Sequence, residues 1–272
     1  MATRRIEIPA GVREAVSRRW PDLAQAWQEN APDELETICH RYKARPVRAF
    51  DARYGFVVEV ATDHAELVMR STPDPLGMMQ AEVSRSLSHL GIGPHIYEVI
   101  RTSVSVWTVA GRIFPGDQLD GKAISLERLA PVFQKMRDQK AANDQLPTLG
   151  DWLRSRLHDE NLSDLAPGRS QASSSERRQG AAILEGLEAD APNMLCHGDA
   201  SSKNILLGPS DQLFLIDPRG VSGDVCYDVA VAAWKTAGDE RPSARAATLA
   251  RLVGVDAERA QSWLAVADAA RV

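Results

Sequence analysis

The chain has 272 residues, 44% of them hydrophobic and 25% charged, with a formal charge of -5 at pH 7. That is enough apolar material for one large or two modest domains with a real core. The mildly acidic balance excludes the basic face on a basic domain that marks a nucleic-acid binder, and admits a cationic small molecule as partner.

Taken in chain order, Arg45 to Arg70 alternates apolar and polar residues around two polar breaks, which predicts three antiparallel strands. After the breakers Asp74, Pro75 and Gly77, the spacing of Met79, Val83, Leu87 and Leu90 predicts a helix over 79–90. Two more strands are expected over Ile96 to Val109. A Gly- and Pro-rich connection, Ala110 to Gly121, then marks a boundary. Beyond it the pattern is helical over Ile124 to Gln139, Leu149 to His158 and Arg177 to Ala189, with Gly168 to Gly180 as a mobile polar connector. Short strands are expected at Ile205 to Leu207 and Leu213 to Ile216, joined by the turn residues GPSDQ. Alanine-rich helices over Val225 to Thr236, Ala244 to Leu252 and Ala257 to Ala270 close the chain.

Three cysteines, Cys39, Cys196 and Cys226, are odd in number, far apart and without metal-ligand spacing, so neither a disulfide framework nor a zinc site is expected. The opening MATRRIEIPAG has no apolar segment behind its charges, and no run of 18 apolar residues occurs. A soluble, cytoplasmic protein is the expectation.

The stretch LCHGDASSKNILL, Leu195 to Leu207, carries the chemistry. His197, Gly198 and Asp199, followed by Asn204 five positions after the aspartate, reproduce the spacing of the kinase catalytic loop H-R-D-x-x-x-x-N with Gly in place of Arg. Asp217, at the end of LFLID and ahead of Pro218 and Arg219, stands where the magnesium-binding Asp of a D-F-G element would stand. Asn204 and Asp217 offer hard oxygens, which suit magnesium. Asp199 is left to accept a proton from, and orient, an attacking hydroxyl. His197 is expected to orient the loop, Lys203 to be solvated, and Asp224 and Asp228 to cap a helix start and brace the loop.

HGDASSKNILL together with FLIDPRGVSGDVCYDVA resembles the aminoglycoside phosphotransferase family, and within it the streptomycin and hydroxyurea phosphotransferase branch. The resemblance is tight over Leu195 to Ala230 and looser over Val68 to Ile100. It implies an α+β, bilobal protein-kinase-like fold, with residues 1–113 as a nucleotide-binding lobe of antiparallel sheet and residues 114–272 as a mainly helical catalytic and substrate-binding lobe. It further implies Asp199 as catalytic base, Asn204 and Asp217 as magnesium ligands, and Glu82 as the helix acid paired with a basic residue on the third strand. That residue is Arg70, where the family pattern has lysine. The backbone near Ala110, Gly111 and Ile113 would meet the base of ATP or GTP. The loop DARYG, Asp51 to Gly55, has one glycine where a phosphate-cradling loop has three.

The implied activity is magnesium-dependent transfer of a γ-phosphate to a hydroxyl of a small, cationic antibiotic such as an aminoglycoside, or of a metabolite. Asp151, Asp159, Glu160, Asp224 and Glu240 are candidate acids for the acceptor pocket. Two other readings fit less well: a metal hydrolase built on His197, Asp199 and Asp217, which has too few ligands nearby, and a kinase-shaped binding protein without turnover.

Overall fold

The computed structural model describes residues 5–120, 124–165, 168–190 and 192–272. Met1 to Arg4 of the opening stretch and Gly121 at the end of the expected boundary lie outside them. The chain divides into two compact units, Met1–Ala81 with Pro94–Arg112, and Glu82–Gly93 with Ile113–Val272.

Two helices that were not among the expected elements open the first unit: α1 (Ala10–Arg19) and α2 (Pro21–Tyr42). Proline at the first position of α2 fits a helix start, where no N–H partner is needed. Ala24, Trp27, Ala31, Leu35 and Ile38 recur every three or four residues and so share one buried face. Lys43, in the left-handed conformation at φ 49°, ends the helix.

That face packs on the sheet formed by β1 (Arg45–Ala49), β2 (Phe56–Ala61), β3 (Glu66–Thr72), β4 (Ile96–Arg101) and β5 (Val106–Gly111). The strands are antiparallel and ordered β1-β2-β3-β5-β4, which bears out the five strands expected from alternation. Phe56, Val58, Val60, Met69, Trp107 and Val109 join α2 in one core. Its polar atoms are satisfied: the Trp27 indole N–H donates to Ser71 Oγ at 2.9 Å, and Glu34 accepts from Ser105 Oγ and Trp107 Nε1, each at 2.7 Å. Helix α3 (Gly77–His89) begins in the first unit and ends in the second.

The second unit contains α4 (Leu126–Met136), α5 (Leu149–His158), α6 (Ser174–Glu188), α7 (Val225–Lys235), α8 (Pro242–Val253) and α9 (Ala257–Ala269). Residues 225–233 of α7 are all buried, which makes it the central helix, packed against α8 and α9. Three short strands, β6 (Asp117–Gln118), β8 (Ile205–Leu207) and β9 (Leu213–Leu215), form one sheet, and β7 (Met194–Leu195) pairs with β10 (Ser222–Gly223). β6 falls inside the Gly- and Pro-rich connection expected to mark the boundary.

The expected mobile connector is corrected as well, because α6 begins at Ser174 inside it. Ser173 and Glu176 make a reciprocal capping box, each side chain accepting the other's main-chain N–H. Those bonds hold the Glu176 carboxyl at about 2. Further along, Gly180 lets α6 approach α9: a Cβ there would lie 2.7 Å from that of Ala269.

Candidate active site

β7 delivers the chain into His197-Gly198-Asp199, a single 3-10 turn covers Ser202–Asn204, and β8 and β9 form the hairpin that returns it to Asp217. Two hydrogen bonds bring the three key residues together. The Asn204 side-chain N–H donates to the main-chain oxygen of Asp199 at 2.9 Å, and the N–H of Ile216, next to Asp217, donates to the main-chain oxygen of Asn204 at 2.9 Å. Because Asn204 spends its nitrogen on Asp199, its Oδ1 remains as a ligating oxygen. Asp217 sits at φ 56°, a left-handed conformation that Asp tolerates better than most residues and that turns the chain sharply at the end of the hairpin.

The loop is clamped from within. Asp228, fully buried on α7, accepts the main-chain N–H groups of His197 at 2.7 Å and Gly198 at 2.9 Å. Burial pushes its pKa up to about 7, against the pull of these two N–H donors. His197 is buried too. The Asp199 N–H can only donate, so the Nδ1 it meets at 3.3 Å is an acceptor and Nε2 carries the proton given to Ile216 O at 2.9 Å. Burial lowers its pKa, which keeps that neutral tautomer in place. Gly198 stands at φ 77°, and a Cβ there would lie 2.9 Å from both Arg219 Cβ and Val221 Cγ2, so no other residue fits. Buried Cys196 and Cys226 have thiols pushed up by burial, as inert core residues do.

Arg219 lies outside the residues expected to form the site, yet it meets the candidate base directly. It donates to Asp199 Oδ2 at 3.3 Å and to Gly198 O at 3.2 Å, and its guanidinium lies 3.8 Å from the centroid of the half-buried Trp152 ring. The available signal was its place two residues after Asp217; Trp152 gave none.

The other expected site residues are distributed between the units. Arg70, Ala110 and Gly111 belong to the first. There Arg70 donates to Gln80 Oε1 at 3.2 Å, Gln80 in turn to Asp74 at 2.8 Å, Ala110 pairs with Val68 and Ile96, and the Gly111 N–H donates to His95 O. Glu82, Ile113, Asp199, Asn204 and Asp217 belong to the second, where Glu82 accepts from the side-chain amide of Asn143. Lys203 is exposed, 3.8 Å from Asp120.

The five candidate pocket acids do not converge. Asp151 accepts from Thr148 and Arg154 in the first turn of α5, whereas Asp159 and Glu160 stand at the other end, about 13 Å along the axis. Glu160 pairs with Arg177. Asp224 is buried, caps α7 at the Cys226 N–H, and accepts from Arg259 and from Trp263 Nε1 at 2.9 Å. Glu240 pairs with Arg245 beside a cavity of about 410 Å³ that Ile124 and Leu126 also line.

An antiparallel sheet with its helix, followed by a helical unit holding an H-G-D loop tied to an Asn and an Asp, defines the protein-kinase-like class of phosphotransferases. The chain belongs to the APH phosphotransferase enzyme family, whose family model matches residues 46–263. No curated protein matches it in sequence. Among solved structures it is similar to an aminoglycoside-3'-phosphotransferase of type VIII, with 19% identity and a TM-score of 0.59 over 88% of this chain and 98% of that one. It is also similar to the choline kinase LicA from Streptococcus pneumoniae, with 15% identity and a TM-score of 0.64 over 89% and 88%. A third is the spectinomycin phosphotransferase APH(9)-Ia in complex with ADP and spectinomycin, with 12% identity and a TM-score of 0.56 over 88% and 85%. Among the described residues no helix is long and apolar enough to cross a membrane.

Proposed function

We propose that this phosphotransferase moves the γ-phosphate of ATP or GTP to a hydroxyl of a small polar molecule, with Asp199 as base. The observation that carries the reading is the tie between Asn204 and Asp199, on a loop whose N–H groups Asp228 holds. Asp199 orients the acceptor hydroxyl and takes its proton as the phosphoryl group is transferred. Asn204 Oδ1 and the Asp217 carboxylate are the oxygens that would hold magnesium, and such a donor set suits that ion. Magnesium, when bound, neutralises charge on the nucleotide phosphates. Arg70, with Glu82, is assigned to the nucleotide phosphates, and the backbone at Ala110, Gly111 and Ile113 to the base.

The similar structures, aminoglycoside and spectinomycin phosphotransferases and a choline kinase, support cationic hydroxyl compounds as the first acceptors to try. An antibiotic acceptor, as in resistance enzymes, and an amino alcohol are separate branches of that proposal. The test is nucleotide consumption with magnesium, using ATP and GTP separately against aminoglycosides, choline-like amino alcohols and sugars, with the phosphorylated product identified by mass. Product from one acceptor supports the reading and names the substrate class. No product, and no magnesium-dependent rise in melting temperature with either nucleotide, would contradict it.

A further inference from the structure

Trp152 ends the first turn of α5, and the start of that helix is fixed beside the H-G-D loop. The Thr148 hydroxyl caps α5 by accepting the Asp151 N–H at 3.0 Å, Thr148 bridges to Ser222 of β10, and the Ser222 N–H donates to Pro147 O at 3.0 Å. Gly223 permits this approach, since a Cβ there would lie 2.8 Å from that of Leu149. β10 in turn pairs with β7, which leads into His197. One turn along α5 from Trp152, Arg156 is buried and donates to Asp164 at 2.6 Å and to the main-chain oxygens of Ala270 and Arg271 at 3.1 and 3.2 Å. Its guanidinium lies 5.3 Å from the Trp152 centroid, so the ring rests on a cation that is itself immobilised.

Arg219 stacks closer, at 3.8 Å from the same centroid. A guanidinium free to choose its geometry grips a carboxylate with two parallel N–H bonds of roughly 2.7–2.9 Å. Arg219 instead reaches Asp199 only at Oδ2, at 3.3 Å, and gives its Nε–H to Gly198 O at 3.2 Å. Among the described residues Oδ1 of Asp199 accepts no hydrogen bond. We propose that Trp152 is a positioning residue: its ring holds the Arg219 guanidinium off the two-pronged grip and so keeps one oxygen of Asp199 open to the acceptor hydroxyl. This rests on the reading of Asp199 as the base. Without the ring, Arg219 closes on both oxygens and the carboxylate loses the one that orients the hydroxyl.

The test is a double-mutant cycle of Trp152→Leu and Arg219→Ala on the full chain, with Trp152→Phe as the variant that keeps an aromatic face. It is read by thermal melting and by kinetics with whichever aminoglycoside, amino alcohol or sugar is phosphorylated. Trp152→Leu should lower kcat about tenfold with the nucleotide KM unchanged, Trp152→Phe should restore most of that loss, and Trp152→Leu should cost no further rate once residue 219 is alanine. The melting temperature should fall by roughly 2–4 °C with Arg219 present and by less in the Arg219→Ala background. A ring that only packs would lower the melting temperature equally in both backgrounds and leave kcat intact. Equal melting shifts, or a Trp152→Leu protein with full kcat, overturn the proposal. A wild-type protein that phosphorylates nothing and is not stabilised by nucleotide would overturn the kinase reading instead, and the melting cycle would still decide whether ring and guanidinium are coupled.

Discussion

Arg219 donates to Asp199 at 3.3 Å, so the carboxylate proposed as base is held by a cation from the segment that follows Asp217. The same guanidinium rests on Trp152 and bonds Gly198 O, so three contacts fix its plane. Arg219→Ala should lower kcat roughly tenfold to a hundredfold with little change in nucleotide KM. Arg219→Lys should recover only part of the rate, because an ammonium cannot stack on the ring and bond both oxygens at once. Full activity in Arg219→Lys would show that charge alone matters.

Asp228 predicts a pH dependence of stability. Its pKa is raised from 3.8 to about 7 in the folded chain, so between those values the folded state binds a proton that the unfolded state releases. Stability contributed by this group is therefore greatest below about pH 4 and is lost as the pH rises through 7. Asp228→Asn removes the titration and turns an amide nitrogen toward a main-chain N–H, so it should also melt lower and slow turnover. The melting gap between wild type and variant should be wider at pH 5 than at pH 8. A gap independent of pH would mean that Asp228 stays ionised throughout.

Two glycines on α6 should respond in opposite directions. A Cβ at Gly186 meets nothing within 4 Å, so Gly186→Ala should stabilise by about 0.5–1 kcal/mol through helix propensity. At Gly180 the added carbon would overlap Ala269, so Gly180→Ala should lower the melting temperature despite the same propensity gain. Denaturant midpoints for the two variants check both signs, and a stabilising Gly180→Ala would place α6 and α9 farther apart.

The sheet was legible because its strands alternate, as in β3, where Leu67, Met69 and Ser71 are buried while Val68 and Arg70 are only half-buried, and period two is a strong local signal. Helix α2 was also encoded, in the spacing of Trp27, Ala31, Leu35 and Ile38, but charged residues between them dilute that face. β7 and β10 carry two residues each and pair only through tertiary contact, so no local pattern could announce them. Of the candidate site, Asp199, Asn204 and Asp217 were legible because each lies at a fixed offset along one segment. Trp152 was not, since its importance comes from the ring that α5 brings beneath Arg219.

The most direct measurement of the central claim is phosphoryl transfer by Asp199→Ala, with magnesium-nucleotide binding followed in parallel by thermal shift. The account predicts that transfer falls by at least a hundredfold while the nucleotide-induced shift persists, whereas Asp217→Ala loses both. An Asp199→Ala protein that keeps most of the wild-type rate would contradict the assignment of the base, and with it the reading of the H-G-D loop as the catalytic one.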